Sequence, residues 1–282
     1  MQLRAMTVND FDAGLRLCRA AGWNQQREDW ERFLLCSPAG CFVVEHDQDV
    51  VGTVATLNYA NRVGWIAMVL VEPSLRRQGI GTRLMRAALD ALSHCECVKL
   101  DATAEGRTVY VKLGFTDESS FSRMTLSSMP NLIGTTPAHI RDMGDGDIDS
   151  AVALDRIAFG ASRGAVLESL YALAPEYAFV AENEAGDPVG FTLGRHGHGF
   201  EHIGPIVAPD LETAKELARA AFLRASRNPV LTDVSLHTPA WVAWLRLLGF
   251  SEQRRLIRMW RGANACSPEL TRVFAIAGPE LG

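Results

Sequence analysis

Val69-Leu70-Val71-Glu72-Pro73-Ser74-Leu75-Arg76-Arg77-Gln78-Gly79-Ile80-Gly81-Thr82-Arg83-Leu84 reads as a strand, a basic turn and a helix opened by glycines. The apolar run stops at Pro73. The helix beyond Gly81 places Leu84, Met85, Ala88, Leu89 and Leu92 on one face. Glycine at two positions lets bare backbone approach a ligand and adopt φ values that other residues resist. The first N–H groups of a helix have no intrahelical acceptor and lie at the positive end of its dipole. Such a turn is an anion cradle suited to a pyrophosphate, and Arg76, Arg77 and Arg83 add charge around it. Neither a phosphate-loop Gly-Lys-Ser/Thr nor a dinucleotide fingerprint is present, since Leu84 stands where the latter needs its third glycine.

Working outward, Thr7 followed by Asp10 predicts a helix start, with Phe11, Leu15, Cys18 and Ala21 on one face and Gly22 as the stop. A second helix fits Asn24 to Leu35. Cys41–Glu45 and Val50–Asn58 read as a hairpin around His46–Asp49, and Gly64–Val71 as the strand entering the cradle. A helix over Gly81–Ser93, a strand at Val98–Leu100, a short helix at Arg107–Lys112 and a closing strand at Ser122–Leu126 complete a mixed sheet flanked by helices.

The chain then repeats itself. Leu3-Arg4-x-Met6-x-x-x-Asp10-Phe11 returns as Ile140-Arg141-x-Met143-x-x-x-Asp147-Ile148, and Phe42-Val43-Val44-Glu45 as Phe179-Val180-Ala181-Glu182. Val51-Gly52, Leu70-Val71-Glu72-Pro73, Leu113-Gly114-Phe115 and Arg123-Met124 return in the same order as Val189-Gly190, Ile206-Val207-Ala208-Pro209, Leu248-Gly249-Phe250 and Arg258-Met259. Ordered returns at a nearly constant offset indicate a duplication. The boundary falls near Ser127–Ala138, rich in Pro, Gly, Ser and Thr. In the second copy the cradle position reads Asp210-Leu211-Glu212-Thr213-Ala214-Lys215-Glu216, with neither glycines nor arginines, and its acids would repel a pyrophosphate.

The 282 residues suffice for two domains, and 48% apolar with 22% charged is ordinary globular composition. A net charge of −5 argues against nucleic acid, which needs a basic face. No apolar run approaches the roughly 20 residues of a membrane span. Cys18, Cys36, Cys41, Cys95, Cys97 and Cys266 follow no disulfide or zinc spacing, and MQLRAMTVNDFD lacks a signal-peptide core, which points to the cytoplasm. His196, His198 and His202 would share a face if they lay on one strand, but Gly197 and Gly199 favour a loop over a metal site.

Arg76-x-x-Gly79-x-Gly81 after an apolar strand resembles the acyl-CoA motif, Arg/Gln-x-x-Gly-x-Gly/Ala, of the GNAT N-acetyltransferases. Leu100-Asp101-Ala102-Thr103 and then Val109-Tyr110-x-x-Leu113-Gly114-Phe115 look like the end of that domain. The resemblance covers Leu3–Leu126. The second copy weakly resembles the divergent domain of bacterial tandem acetyltransferases, which also carry a tail like Phe274–Gly282.

The resemblance implies an α/β (α+β) fold of two tandem GNAT-like domains, each a mixed, mostly antiparallel sheet flanked by helices. Residues 1–127 would bind acetyl-CoA, and residues 138–282 would form a divergent domain without the cofactor motif. It implies a pyrophosphate on the backbone of Gln78, Gly79, Ile80, Gly81, Thr82 and Arg83, and a pantetheine along Val69, Leu70 and Val71. Tyr110 would protonate the leaving thiolate, although a packed aromatic is the alternative. Asp101 is a candidate base or a cap of the following turn; Glu72 and Glu105 lie near. Trp23-Asn24-Gln25 could line an acceptor pocket, with Asp155, Arg163 and the strand Ile203–Ile206 as weaker candidates. The expected reaction is acetyl transfer to a primary amine of a small-molecule acceptor by direct attack in a ternary complex. A peptide acceptor, or a non-catalytic acyl-CoA sensor, is the alternative. No nucleic-acid or membrane partner is expected, and the chain would act as a monomer or homodimer.

Overall fold

A computed structural model describes residues 1–128, 137–225, 228–263 and 268–282. Most of the expected linker Ser127–Ala138, and Cys266, lie outside the described residues. The first copy runs β1 (Gln2–Ala5), α1 (Phe11–Ala20), α2 (Arg27–Cys36), β2 (Phe42–His46), β3 (Asp49–Tyr59), β4 (Val63–Val71), α3 (Ile80–Ala91), β5 (Cys97–Ala102), α4 (Ala104–Lys112) and β6 (Thr116–Leu126). The second runs β7 (Ile140–Asp142), α5 (Ile148–Phe159), α6 (Gly164–Leu173), β8 (Phe179–Glu182), β9 (Pro188–Arg195), β10 (Glu201–Val207), α7 (Leu211–Arg224), β11 (Val230–Ser235), α8 (Pro239–Leu247), β12 (Ser251–Gly262) and β13 (Val273–Ala275).

The duplication extends to side chains. Arg4 Nε donates to Glu45 while its terminal nitrogens hold Asp10, each at 2.8 Å. Arg141 repeats this clamp on Glu182 and Asp147, at 2.6 to 2.8 Å. The Thr7–Asp10 signal is a formed capping box, with Asp10 accepting from the Thr7 N–H at 2.7 Å.

The described strands join one 13-stranded sheet in the order β1-β2-β3-β4-β5-β12-β6-β11-β13-β10-β9-β8-β7. The closing strands are exchanged. β12 of the second copy pairs with β5 of the first, β6 of the first pairs with β11 of the second, and β6 and β12 pair antiparallel with each other. The sheet therefore does not break where the sequence repeat does. Reciprocal ion pairs mark the exchange. Arg123 on β6 grips Asp233 on β11 at 2.8 and 2.7 Å, and Arg258 on β12 grips Asp101 on β5 at 2.9 and 2.9 Å. The Arg258 guanidinium is also sandwiched between Trp65 and Phe121, at 4.7 and 4.6 Å from their ring centres.

One apolar core, holding Trp30, Phe33, Trp65, Phe159 and Leu167, joins α1 and α2 to α5 and α6 on one side of the sheet. The other side carries two separate cores, under α3 and α4 and under α7 and α8. Among the described residues, no helix is long and apolar enough to cross a membrane.

Candidate active site

β4 and β5 run parallel only through Val63–Trp65 against Cys97–Lys99 and then part, so one side of β4 loses its partner strand. A bulge turns the same segment. The register against β3 slips between Thr53 and Ala55, Met68 takes φ 54°, and the Met68 carbonyl is satisfied by the Thr53 hydroxyl at 2.8 Å. A cleft of about 820 Å³ opens along this gap. Val69, Leu70, Val71, Arg76, Arg77, Gly79, Ile80, Gly81, Thr82, Asp101 and Tyr110 border it, so most of the residues expected from sequence converge there.

The turn into α3 has the geometry of an anion cradle. Gly79 is its N-cap at φ 83°, a conformation that favours glycine. Among the described residues, no acceptor takes the backbone N–H groups of Gln78 to Thr82, while the Arg83 N–H already serves the Gly79 carbonyl at 3.0 Å. Two expectations need correction. The Arg83 N–H is spent inside the helix, and its guanidinium donates to the Met1 carbonyl at 3.1 Å, away from the cleft. Gln78 does not border the cleft, although its N–H is free. The open N–H groups, the paired glycines and the unpartnered side of β4 fit a pyrophosphate followed by an extended pantetheine arm.

Tyr110 lies on α4 with its ring packed over Gly106, and among the described residues its hydroxyl has no partner. Burial pushes the phenol up to about 12, so it is protonated and able to donate at neutral pH. Asp101 is corrected as a base. Both its oxygens are held by Arg258, and its side chain has 0% exposure. Its counterpart Asp233 makes the same pair with Arg123. Burial pushes the Asp101 carboxyl up and Arg258 opposes this, but an enclosed carboxylate cannot meet a substrate. Glu72 pairs with Arg16, and Glu105 borders the cleft from the first turn of α4.

Opposite the cradle, the wall comes from both copies: Trp23 and Gln25 after α1, Arg254 and Leu256 on β12, and Pro279 and Glu280 after β13. Asn24 turns away. Its side chain accepts from the Gly199 and Phe200 N–H groups at 2.9 and 3.1 Å and donates to the Phe200 carbonyl at 2.9 Å, clasping the second copy. His196 and His198 lie on that clasped loop, whereas His202 is buried on β10, 3.4 Å from Asp233, with its imidazole held neutral by burial. Asp155 and Arg163 form a buried bidentate pair, and Arg163 donates to the Leu281 carbonyl at 3.1 Å, so they act on the 276–282 segment from outside the cleft. Ile203–Ile206 likewise lies outside the cleft lining. Sequence reading missed Arg254 and Glu280, which carry no local motif.

The second copy has the same gap and fills it. β10 and β11 run parallel only at Glu201–His202, and β13 then pairs antiparallel with both. The extended peptide occupies the place that a pantetheine would take in the first copy. Asp210 caps α7 by accepting from the Thr213 N–H at 2.9 Å, which satisfies the helix terminus internally. Leu245, at the position matching Tyr110, is a buried core residue.

Residues 10–115 match the model of the acetyltransferase (GNAT) family, and residues 151–275 match that of an acetyltransferase (GNAT) domain. The chain is 27% identical over 271 residues to the holothin acyltransferase of Pseudoalteromonas sp. (strain SANK 73390), covering 93% of this chain and 88% of that protein. It is 26% identical over 226 residues to the uncharacterized N-acetyltransferase YitH of Bacillus subtilis (strain 168), covering 79% of each. A solved structure from Pyrococcus horikoshii superposes with a TM-score of 0.82 at 22% identity, covering 100% of this chain and 95% of that one.

Proposed function

From the premise that this chain belongs to the GNAT acetyltransferases, carries two of their domains and is an acyltransferase, we propose that it moves an acetyl group from acetyl-CoA to a primary amine of a small molecule, by direct attack with both substrates bound. One observation carries the choice of acceptor. Gln25, Arg254 and Glu280, polar side chains from three separate segments, line the same cleft. Small-molecule sites set a few polar groups in a mostly apolar cleft, and about 820 Å³ is in their range.

When bound, acetyl-CoA supplies the acyl thioester. The free backbone of Gly79 to Thr82 would hold its phosphates, with Arg76 and Arg77 beside them. Val69 to Val71 would hold the extended arm, and Tyr110 would donate a proton to the departing sulfur. CoA release should be measured with amino acids, polyamines and amino sugars against lysine-containing peptides. Turnover of free amines without turnover of peptides is the expected outcome; turnover of peptides alone moves the acceptor to proteins.

Tyr110→Phe should keep acetyl-CoA binding and lower kcat. Losing one general acid removes about 10²–10⁴ in rate, and a thiolate leaves readily, so the lower end is expected. A phenylalanine variant at full rate across the pH range would return Tyr110 to a packing role.

A further inference from the structure

We propose that Arg254 docks a carboxylate of the acceptor, so that the amine acetylated in this cleft carries an acid group, as amino acids do. This substrate class deepens the amine-acetylation reading above and rests on it.

Arginines in the interior of this chain come with acids. Arg32, Arg123, Arg163, Arg195 and Arg258 are all buried, and each has a carboxylate oxygen within 3.1 Å. Arg254, half-buried on β12, differs from them. Its Nε is buried without a partner, and its two terminal nitrogens are neither enclosed nor bonded among the described residues. Burial and the neighbouring Arg123, its register partner on β6, push the guanidinium down to about 10, where it is still a cation at neutral pH.

The charges around it do not cancel. Arg32, Arg123, Arg195 and Arg254 stand against Asp29, Asp233 and Glu280 in one cluster, while burial holds His202 neutral. One positive charge is left over, and of these four arginines only Arg254 borders the cleft. A surplus of one matches a single carboxylate, whereas a phosphate would bring a second negative charge with nothing to meet it. The acids in the lining do not fill the place. Asp101 is gripped by Arg258, Glu280 Oε1 accepts from Arg195, and Glu105, exposed on α4, makes no ion pair with Arg254. The other cations of the lining are placed differently: Arg255 pairs with Glu252, and Arg76 and Arg77 flank the cradle. A guanidinium with an open edge takes a carboxylate through two parallel N–H bonds. Trp23, Leu256 and Pro279 give the same wall its apolar surface, so charge would fix one end of the acceptor and packing the rest.

The test compares amino acids with the amines left by their decarboxylation: phenylalanine with phenethylamine, leucine with isoamylamine, histidine with histamine, and lysine with cadaverine. CoA release is followed for the full-length wild type, Arg254→Met and Arg254→Lys, and acetyl-CoA titration confirms the cofactor site of each variant. The wild type should prefer the acid member of at least one pair. Arg254→Met should lower kcat/KM for that acid about 10- to 100-fold, mostly through KM, and leave its decarboxylated partner unchanged. Arg254→Lys keeps the charge without the fork and should recover part of the loss. Because no ion pair is broken, the melting temperature of Arg254→Met should equal or exceed that of the wild type. A lower melting temperature with equal loss on both members of a pair makes Arg254 a structural part and overturns the proposal. An acid preference that survives Arg254→Met overturns it as well. Wild-type turnover of carboxylate-free amines alone also overturns it, while amine acetylation stands; turnover of no amine overturns both.

Discussion

Titration of the intact chain with acetyl-CoA should give one bound molecule, and Gly81→Val should weaken that binding tenfold or more, about 1.4 kcal/mol per tenfold. Gly81 sits in the first turn of α3, where a built Cβ meets only Val71 at 3.8 Å, so the variant has room to fold. Its added methyl groups would lie beside the free N–H groups that a pyrophosphate needs. The second copy should contribute nothing. Asp210 already caps α7, Glu212 and Glu216 add like charge, and β13 occupies the gap between β10 and β11. The second half cannot be assayed alone, because its sheet contains β6 of the first. Calorimetry on the full chain is the measurement. Two equivalents, or full affinity after Gly81→Val, would end the division of labour between the copies.

Arg123→Met should be among the most destabilising single changes in the molecule. Arg123 and Asp233 have side-chain exposures of 2% and 0% and meet through two hydrogen bonds across the exchanged strand. Removing the cation leaves a buried carboxylate unpaired, which costs about 3–5 kcal/mol and lowers the melting temperature by about 10 °C for a chain of this size. Replacing both partners, Arg123→Met with Asp233→Leu, should recover most of the loss. The sign with pH is fixed. Arg123 lowers the Asp233 carboxyl below its ordinary value, so the pair's contribution is present above the ordinary carboxylate range and fades as pH falls through the folded value. The gap between wild type and Arg123→Met should therefore close in acid. A melting temperature unchanged at neutral pH would deny the pairing of β6 with β11.

What was legible in the sequence was what neighbouring residues decide. The cradle could be read because Gly79, Gly81 and the arginines beside them act within one turn. The duplication could be read because Arg4 and Arg141 each need the same two acids at the same distances along the chain. The repeated Arg123-Met124 and Arg258-Met259 were visible, yet their partners were not. An antiparallel strand can pair with its own copy or with the other at little difference in local pattern, and Asp101 lies 157 residues from Arg258. Asp101 looked available for proton transfer for that reason. Glu280 was hidden differently: in Gly278-Pro279-Glu280-Leu281 nothing marks the acid until Arg195, Trp65 and Tyr59 fix it against the cleft.

The exchanged strands also set the order in which the protein can be made. During synthesis the first copy reaches Leu126 with β5 bare along the edge that β12 will cover, since its own closing strand is destined for a neighbour not yet translated. That edge stays open until Gly262 has emerged, and an unpaired apolar strand edge is a template for association with other chains. The part of the cleft wall made by Pro279 and Glu280 arrives later still. A ribosome must therefore deliver the chain through the second copy before the first has its full sheet and cleft, and nascent chains truncated after the first repeat should depend on chaperones, however complete their family signature looks.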